Sequence, residues 1–205
     1  AVDPAISDRL YAAISINNTT SLCVSDDGGK QWKPEKELGA GIKNIFVDPS
    51  SPKDNRTIYV AGSGGISQKI NGVWNDTENP TDVASLTTFS GGYDEQNKKF
   101  IIYAISGKSY FHPEEDNSGI YFTDNGGLTW ENRQDGLVAL NIKDAALPEW
   151  RTIATSAFHP EVVYVSYCGL KVHNDTTCIG VAKTTDFGKT WKLVWKDVQT
   201  KDNYT

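Results

Sequence analysis

The residues whose chemistry suits a ligand or a reaction are concentrated in the second half of the chain. Glu149, Trp150 and Arg151 are consecutive and precede a predicted innermost strand, 152–158. A tryptophan ring offers a stacking surface for a sugar, an arginine makes bidentate contacts to a carboxylate, and a glutamate serves as general acid or base. This triplet is the leading candidate site, with Glu149 catalytic and the other two binding substrate. In the alternative interpretation, Trp150 packs under a loop and the two charged residues pair at the surface.

A long predicted loop, 106–119, supplies further candidates. Three of its residues are carboxylates suited to a general acid or a Ca²⁺ site: Glu114, Glu115 and Asp116. Glycoside hydrolysis needs two carboxylates about 5–10 Å apart, one with a raised pKa; solvated acids in a turn are the alternative. Tyr110 and His112 in the same loop, and His173 in a later one, are candidate substrate-binding residues. The spacing of His, Cys and Asp matches no metal motif, so neither a metal nor a cofactor is expected.

Two neighbouring segments, 131–151 and 167–177, are also predicted to be long loops. Loops longer than about 12 residues in compact domains are usually functional or disordered. Cys168 and Cys178 flank turn-forming residues in the second segment, which predicts a disulfide across the base of a loop; two unpaired strand cysteines are the alternative. Cys23 lies in an apolar stretch and is predicted to be a buried small hydrophobe.

Composition narrows the possible partners and the location. Acidic residues outnumber basic ones by 26 to 20, and the lysines and arginines are scattered, so no nucleic-acid partner is expected. No apolar run approaches the ~20 residues that cross a bilayer, so no membrane span is expected. Six Asn-x-Ser/Thr sequons are glycosylation candidates and favour a secreted or extracellular protein: Asn17, Asn18, Asn55, Asn75, Asn174 and Asn203.

A repeated turn motif, Ser/Thr-x-Asp/Asn-x-Gly-x-Thr/Gln-Trp, occurs at 25–32, 123–130 and 184–191. We expect the acid or amide to accept hydrogen bonds from backbone N–H groups, the glycine to adopt a positive φ, and the tryptophan to begin the returning strand. These structural positions are Ser25, Asp27, Gly29 and Trp32, then Asn125, Gly127 and Trp130, then Asp186, Gly188 and Trp191. The segment 67–74 keeps the serine and the tryptophan but has Lys69 at the acid position, and we interpret it as a degenerate fourth copy.

A second repeated signal precedes each turn. An apolar strand, a turn that often contains Asp-Pro, and a second strand with a tyrosine recur along the chain, as in 47–61. His159 is expected at the Asp position of the last such turn. Units of roughly 40–60 residues with four short strands each are typical of propeller blades. The sequence therefore predicts an all-β fold, a β-propeller of four-stranded antiparallel blades over approximately 1–42, 43–84, 85–150 and 151–205.

The turn motif resembles the Asp-box (BNR) repeat of sialidases, xyloglucan-active glycoside hydrolases, sortilin-type receptors and photosystem assembly factors. The order Asp-Pro, Tyr and Gly-Gly-x-x-Trp is most similar to the xyloglucanase-like branch. Those propellers contain more than four blades, so the resemblance implies further blades from the same protein or from another chain. A closed four-bladed ring is the alternative. Because the Asp-box turns serve the scaffold in all these families, and lie opposite the long loops, their acids are expected to be structural.

The resemblance implies a secreted carbohydrate-active propeller that binds a polysaccharide or glycan on the long-loop face. In the glycoside hydrolase interpretation, Glu149 and one of residues 114–116 act as acid and base. In a lyase acting on uronic acids, Arg151 would neutralise the carboxylate while a His or Tyr acts as base. A non-catalytic, sortilin-like propeller that binds protein or peptide is the third possibility. The Phe-Arg-Ile-Pro element of sialidases is missing, the xyloglucanase catalytic Asp motifs are not recognisable, and the arginines are only Arg9, Arg56, Arg133 and Arg151.

Overall fold

The computed structural model describes residues 1–106, 119–135, 149–172 and 176–199, and these residues form four antiparallel sheets of four strands each. The first two sheets contain β1 (Val2–Asp3), β2 (Ile6–Ile16), β3 (Thr19–Ser25) and β4 (Lys33–Leu38), then β5 (Ile42–Val47), β6 (Ile58–Gly62), β7 (Gly65–Ile70) and β8 (Val73–Thr77). The last two contain β9 (Thr88–Asp94), β10 (Lys99–Ser106), β11 (Gly119–Thr123) and β12 (Glu131–Asn132), then β13 (Glu149–Thr155), β14 (Val163–Val172), β15 (Thr176–Thr184) and β16 (Lys192–Gln199). In every sheet the strands pair in chain order, which confirms the predicted propeller blades.

The blades pack face to face in sequence, and each blade is named here by its number. We call the face turned toward the next blade the forward face and the opposite one the rear face. Strand β10 shows how the sequence encodes this packing. Its side chains alternate, so that Ile102 and Ala104 join the apolar cluster shared with blade 2, while Tyr103 and Ile105 join the cluster shared with blade 4. Because both faces are covered, the strand is apolar along its length.

The three turns with the repeated motif, which we call the Asp-box turns after the repeat that they resemble, connect the third and fourth strands of blades 1, 3 and 4 and share one hydrogen-bond pattern. In blade 3 the Thr123 hydroxyl accepts the Gly127 N–H at 3.0 Å, and the Asn125 side-chain oxygen accepts the Thr129 N–H at 3.0 Å. Blades 1 and 4 repeat both bonds from their own Ser or Thr and Asp residues. Gly127 has a φ of 91°, as the pattern predicts.

The indole of the turn tryptophan also connects neighbouring blades. Trp130 donates to the Glu78 carbonyl of the preceding linker at 3.2 Å, and Trp191 donates to the Arg133 carbonyl at 2.9 Å. In blade 1, Trp32 instead donates to the Gly29 carbonyl of its own turn. The tryptophans of blades 3 and 4 therefore fasten each blade to the one before it.

Blade 2 has a different turn, and our interpretation of 67–74 as a degenerate Asp-box copy is wrong. Ser67 and Trp74 lie in the paired strands β7 and β8, which are joined by the two-residue turn Asn71–Gly72 with φ of 52° and 78°. Two positive φ values are typical of the type I′ hairpin that Asn-Gly favours. The Lys69 position is therefore a strand position, opposite Trp74.

The turn between the first and second strands departs from the Asp-Pro pattern in blades 3 and 4. Asp94 accepts the N–H groups of Gln96 and Asn97, so blade 3 has the capping acid without a following proline. In blade 4 the hydroxyl of Ser156 occupies this position and accepts the Phe158 N–H. His159 lies beyond it, exposed and 3.3 Å from Glu161, so its predicted place in the repeat is wrong.

The predicted loop 167–177 is largely the end of a long hairpin. Strands β14 and β15 continue through it, with Lys171 opposite Thr177, and only residues 173–175 lie between them. The backbone register places Cys178 opposite Leu170. The side chains of Cys168 and Cys178 lie outside the described part, so their disulfide stays a prediction. Cys23 is buried, as predicted, and it is a free cysteine.

Candidate functional site

The strand order separates the connections between two ends of the propeller. The first-to-second and third-to-fourth strand turns lie at one end, the Asp-box face, and the remaining connections lie at the other, the loop face. The Asp-box acids act within their turns. Hydrogen bonds from the Gln31 N–H and the Ser25 hydroxyl lower the pKa of Asp27. Burial alone would raise the pKa of Asp186, but hydrogen bonds from Thr184 and Thr190 outweigh it and lower the pKa. Such ionised, bonded carboxylates suit a scaffold and not general acid catalysis.

On the loop face, the innermost strands of blades 2 and 4 begin with a β-bulge. The register of β13 with β14 skips Arg151, and the register of β5 with β6 skips Lys43. In blade 3 the corresponding residue is Thr87, whose N–H donates to the Ile105 carbonyl at 2.8 Å. All three side chains are exposed. We call Lys43, Thr87 and Arg151 the inner-rim row.

A buried or half-buried apolar residue precedes each member of the row and anchors it. These anchors are Ile42, Leu86 and Trp150. The side chain of the anchor packs into the core between two blades. The bulge interrupts the alternation of the strand, so the next side chain is exposed. The sequence signal that identifies the row is an apolar residue, the bulged residue and a short polar residue, repeated three times. Our reading of the sequence missed it because the blades differ at the bulged position.

The short polar residues that follow hold the inner strands beside one another. The Asn44 amide lies 3.4 Å from the Phe89 carbonyl of blade 3, and the Thr88 hydroxyl lies 3.5 Å from the Arg151 carbonyl of blade 4. Farther along the same strands, Gly92 allows close approach, because a Cβ there would lie 2.4 Å from the Ser156 carbonyl oxygen. The members of the row therefore sit on adjacent strands at equivalent heights.

Two members of the predicted triplet 149–151 lie in different environments. Arg151 is exposed on the inner rim, whereas Trp150 is only 6% exposed and packs edge to face against Tyr167, with ring centroids 6.1 Å apart. The prediction of Trp150 as a stacking surface for substrate does not fit this burial, because its ring is covered by the core between blades 3 and 4. It anchors the bulge instead. The backbone of Glu149 starts β13 opposite Cys168, and its side chain lies outside the described part.

The remaining candidates fall mostly outside the described residues. This applies to Tyr110, His112, Glu114, Glu115, Asp116, His173, Asn174 and Asn203. Of the other sequons, Asn17 and Asn18 form the exposed turn between β2 and β3, Asn75 is exposed, and Asn55 is half-buried. Their glycosylation stays a prediction.

A groove of about 680 Å³ lies between blades 2 and 3, away from the inner rim. Asp76, Glu78, Tyr121 and Trp130 are among its lining residues. The Ser67 hydroxyl, and then Lys36 at 3.1 Å, hold the pKa of Asp76 below its usual value despite partial burial. The Trp130 indole N–H already binds a backbone carbonyl. The groove therefore offers fixed binding groups but, in Asp76, no general acid.

Within the described ranges, no cluster of three His, Cys, Asp or Glu residues is arranged for a metal, and no helix is long and apolar enough to span a membrane.

Two solved structures share this fold at low sequence identity. The GH74 xyloglucanase from Xanthomonas campestris matches with a TM-score of 0.59 and 14% identity, covering 95% of this chain and 29% of that one. An ancestral GH74 enzyme matches with a TM-score of 0.51 and 15% identity, covering 98% and 27%. This chain thus spans less than a third of the length of either structure. No family model and no curated protein sequence matches it. The likeness establishes the β-propeller fold.

Proposed function

We propose that this chain is part of a secreted carbohydrate-active propeller of the glycoside hydrolase type, which binds a polysaccharide across the loop face. The observation that carries the proposal is the inner-rim row, where Lys43 and Arg151 present two exposed cations on either side of Thr87. Ligand sites in closed β-structures commonly form where connections converge at one end. A sugar polymer as ligand agrees with the fold shared with two GH74 enzymes, one of them a xyloglucanase.

The chemistry of the row favours a polymer that carries carboxylates, such as a uronic acid polysaccharide. The Arg151 guanidinium is suited to a bidentate contact with one carboxylate, and Lys43 to a point contact with another. The Thr87 hydroxyl between them donates its proton to the Ile105 carbonyl at 3.1 Å and leaves its oxygen to accept a hydrogen bond from a sugar hydroxyl.

For cleavage we propose Glu149 with one of residues 114–116 as the two carboxylates. One, protonated, would donate its proton to the glycosidic oxygen as the bond to the anomeric carbon breaks. The other, ionised, would take a proton from the attacking water, or attack the anomeric carbon itself if the two groups lie only about 5 Å apart. The support for Glu149 is its position at the start of β13, two residues before Arg151 on the loop face.

Binding tests the row directly. Polygalacturonate and the neutral polymer xyloglucan are titrated into the chain by calorimetry at low salt. We expect Arg151→Ala and Lys43→Ala each to weaken binding of polygalacturonate about tenfold, the effect of losing one charged contact of about 1.5 kcal/mol. The matched control is Lys30→Ala, an exposed cation in an Asp-box turn on the opposite face. Equal affinity of all four proteins for polygalacturonate would contradict the assignment.

Cleavage is scored separately by the release of reducing ends, and Glu149→Gln should abolish it while retaining binding.

The inner-rim row also favours a second function, a lyase. In a lyase, a base removes the C5 proton of a uronate and the C4–O bond breaks to leave a C4–C5 double bond. Products with the ultraviolet absorbance of that double bond would identify the lyase; saturated products would identify the hydrolase. Binding without either product would identify a non-catalytic propeller.

A further inference from the structure

The turn tryptophans of blades 3 and 4 make the same contact but differ in exposure. Trp130 donates to the carbonyl of Glu78, which directly follows β8, and Trp191 donates to that of Arg133, which directly follows β12. Trp191 is 5% exposed. Trp130 is only half-buried, and it lines the groove of about 680 Å³ between the forward face of blade 2 and the rear face of blade 3. The groove therefore leaves open a ring that is covered between blades 3 and 4.

The turn that borders this groove also differs in sequence from the other two Asp-box turns. After the glycine of the motif, blades 1 and 4 have Lys30 and Lys189, and both are exposed. Blade 3 has Leu128 at this position, and its side chain is 65% exposed and lines the groove. A lysine there is readily solvated, whereas a leucine beside a half-buried indole offers apolar surface to a ligand. The apolar residue thus occurs in the turn that borders the groove and in neither of the other two.

Carboxylates border the apolar surface of the groove. Asp76 accepts the Ser67 hydroxyl on one oxygen and the Lys36 ammonium, at 3.1 Å, on the other, and its side chain is still 66% exposed. Each carboxylate oxygen can accept a further hydrogen bond. Glu78 is exposed next to it. Among the described residues that line the groove there is no lysine or arginine. The wall therefore suits a ligand with hydroxyl donors and disfavours an anionic ligand.

We infer that this groove is a second carbohydrate-binding site, which holds a neutral glycan and is separate from the inner-rim row. The class of ligand rests on the proposed function. The apolar face of a sugar ring would pack on Trp130 and Leu128, and its hydroxyl groups would donate to Asp76 and Glu78. The volume lies in the range of small-ligand sites, roughly 300–1,000 Å³. Because a hydroxyl and an ammonium already bind Asp76, its carboxylate is a poor proton donor, and the groove binds the glycan without cleaving it.

A basic peptide is the other ligand that acidic and apolar groups attract, and the backbone at the groove disfavours it. An extended peptide would add to the edge strand β8 and would need the backbone groups at its end. The Glu78 carbonyl there already accepts the Trp130 indole N–H. The Asn79 amide group is directed to the carbonyls of Ser63 and Ala84. A sugar needs no strand pairing, so the geometry favours a glycan.

Calorimetric titrations with two neutral oligosaccharides, cellohexaose and mannohexaose, test the groove. We expect the chain to bind at least one of them. Leu128→Lys introduces the residue of the other two turns and should weaken that binding about tenfold, because it removes apolar contact with the sugar. Glu78→Ala keeps the backbone carbonyl that Trp130 binds and should weaken binding about fivefold. Lys189→Leu, the reverse exchange in the equivalent turn of blade 4, is the control and should leave the affinity unchanged.

Variants of the inner-rim row separate this site from the proposed one. Arg151→Ala and Lys43→Ala should bind the neutral oligosaccharide as the parent does, and Leu128→Lys should bind polygalacturonate as the parent does. Circular dichroism confirms that each variant is folded, and Glu78→Ala carries the test if Leu128→Lys is not.

Three results would overturn the inference, and none of them depends on the binding of polygalacturonate. The first is a folded parent that binds neither oligosaccharide, or binds them no better than Leu128→Lys and Glu78→Ala do. The second is binding that is lost in Arg151→Ala, which would place the neutral glycan on the inner rim. The third is binding of an alternating lysine–leucine peptide in place of both oligosaccharides, weakened by Leu128→Lys, which would identify a peptide groove. Failure of the proposed function would instead leave polygalacturonate binding unchanged in the row variants.

Discussion

The buried ion pair between Asp3 and Arg56 gives the sharpest prediction about stability. Arg56 of blade 2 donates from Nε and Nη2 to the two carboxylate oxygens of Asp3 in blade 1, at 2.8 and 2.7 Å. The side chains are 2% and 0% exposed for Arg56 and Asp3 respectively. Asp3 Oδ1 also accepts the N–H groups of Ala5 and Ile6. One carboxylate thus shapes its own turn and joins two blades.

Replacing Asp3 by asparagine removes the negative charge and keeps a side chain of nearly the same size and shape. The asparagine oxygen can keep the turn hydrogen bonds, whereas its NH₂ group would face the Arg56 donors and leave the guanidinium buried without its counter-ion. Removing one partner of a buried pair costs about 3–5 kcal/mol. Asp26→Asn is the matched control, because Asp26 pairs with Arg9 at 2.6 Å where the carboxylate is 55% exposed. An exposed pair contributes up to about 1 kcal/mol.

Urea denaturation followed by tryptophan fluorescence measures both variants. We expect Asp3→Asn to lower the midpoint with an unchanged dependence on urea, and Asp26→Asn to shift it only slightly. The reasoning is refuted if the two substitutions lower the free energy of unfolding equally.

The same carboxylate makes stability depend on pH in a defined direction. Burial alone would raise the pKa of Asp3, but hydrogen bonds from the Arg56 guanidinium and the Ala5 N–H outweigh it, so the pKa lies below 3.8. The unfolded chain therefore binds the proton first as pH falls. The contribution of Asp3 is complete above its unfolded pKa and is lost as pH falls through the folded value. The difference between the parent and Asp3→Asn should shrink over that acid range; a difference that stays constant there would contradict this.

Two other predictions concern single contacts in the core and in the turns. The Tyr103 hydroxyl donates to the buried Pro160 carbonyl at 2.7 Å, so Tyr103→Phe should lower the free energy of unfolding by about 1–2 kcal/mol. Tyr164 occupies the position in β14 that Tyr103 occupies in β10, and it is 42% exposed, so Tyr164→Phe should change the free energy of unfolding by less than about 0.5 kcal/mol. Equal effects of the two substitutions in thermal unfolding would contradict the role of the Tyr103 hydroxyl. Gly127→Ala would place a Cβ 2.6 Å from a threonine hydroxyl at a φ of 91°, and should cost more than about 1 kcal/mol in urea denaturation. Gly64→Ala, with open space around it and no positive φ, should be nearly neutral, and a similar loss there would argue against strain at Gly127.

Sequence patterns predicted the scaffold because its turns are encoded locally. Each Asp-box turn closes its hydrogen bonds within eight residues, so residue types alone identify it. The same local encoding explains the error in blade 2, where the Asn71–Gly72 signal lies inside a segment whose serine and tryptophan fit the other motif by coincidence.

The candidate site was less predictable because it depends on pairing between distant strands. Whether Trp150 faces solvent or the core is decided by the bulge at Arg151, which shifts the alternation by one residue relative to β14. A tryptophan beside an arginine fits both a sugar platform and a core anchor. Only the register distinguishes them, and the register depends on how β13 pairs with β14, where Trp150 lies opposite Tyr167.

The arrangement of the apolar clusters between consecutive blades has a consequence for where local unfolding begins. Among the described residues, each apolar cluster joins two consecutive blades, so blades 2 and 3 each share two clusters and blades 1 and 4 each share one. In such linear arrays, stability is approximately a sum of unit and nearest-neighbour contributions, and fluctuations begin at the ends. Amide hydrogen exchange should therefore be slowest in β6 and β10 and progressively faster toward both outer sheets. If other protein covered the outer faces of blades 1 and 4, that gradient should disappear and the four sheets should unfold as one cooperative unit.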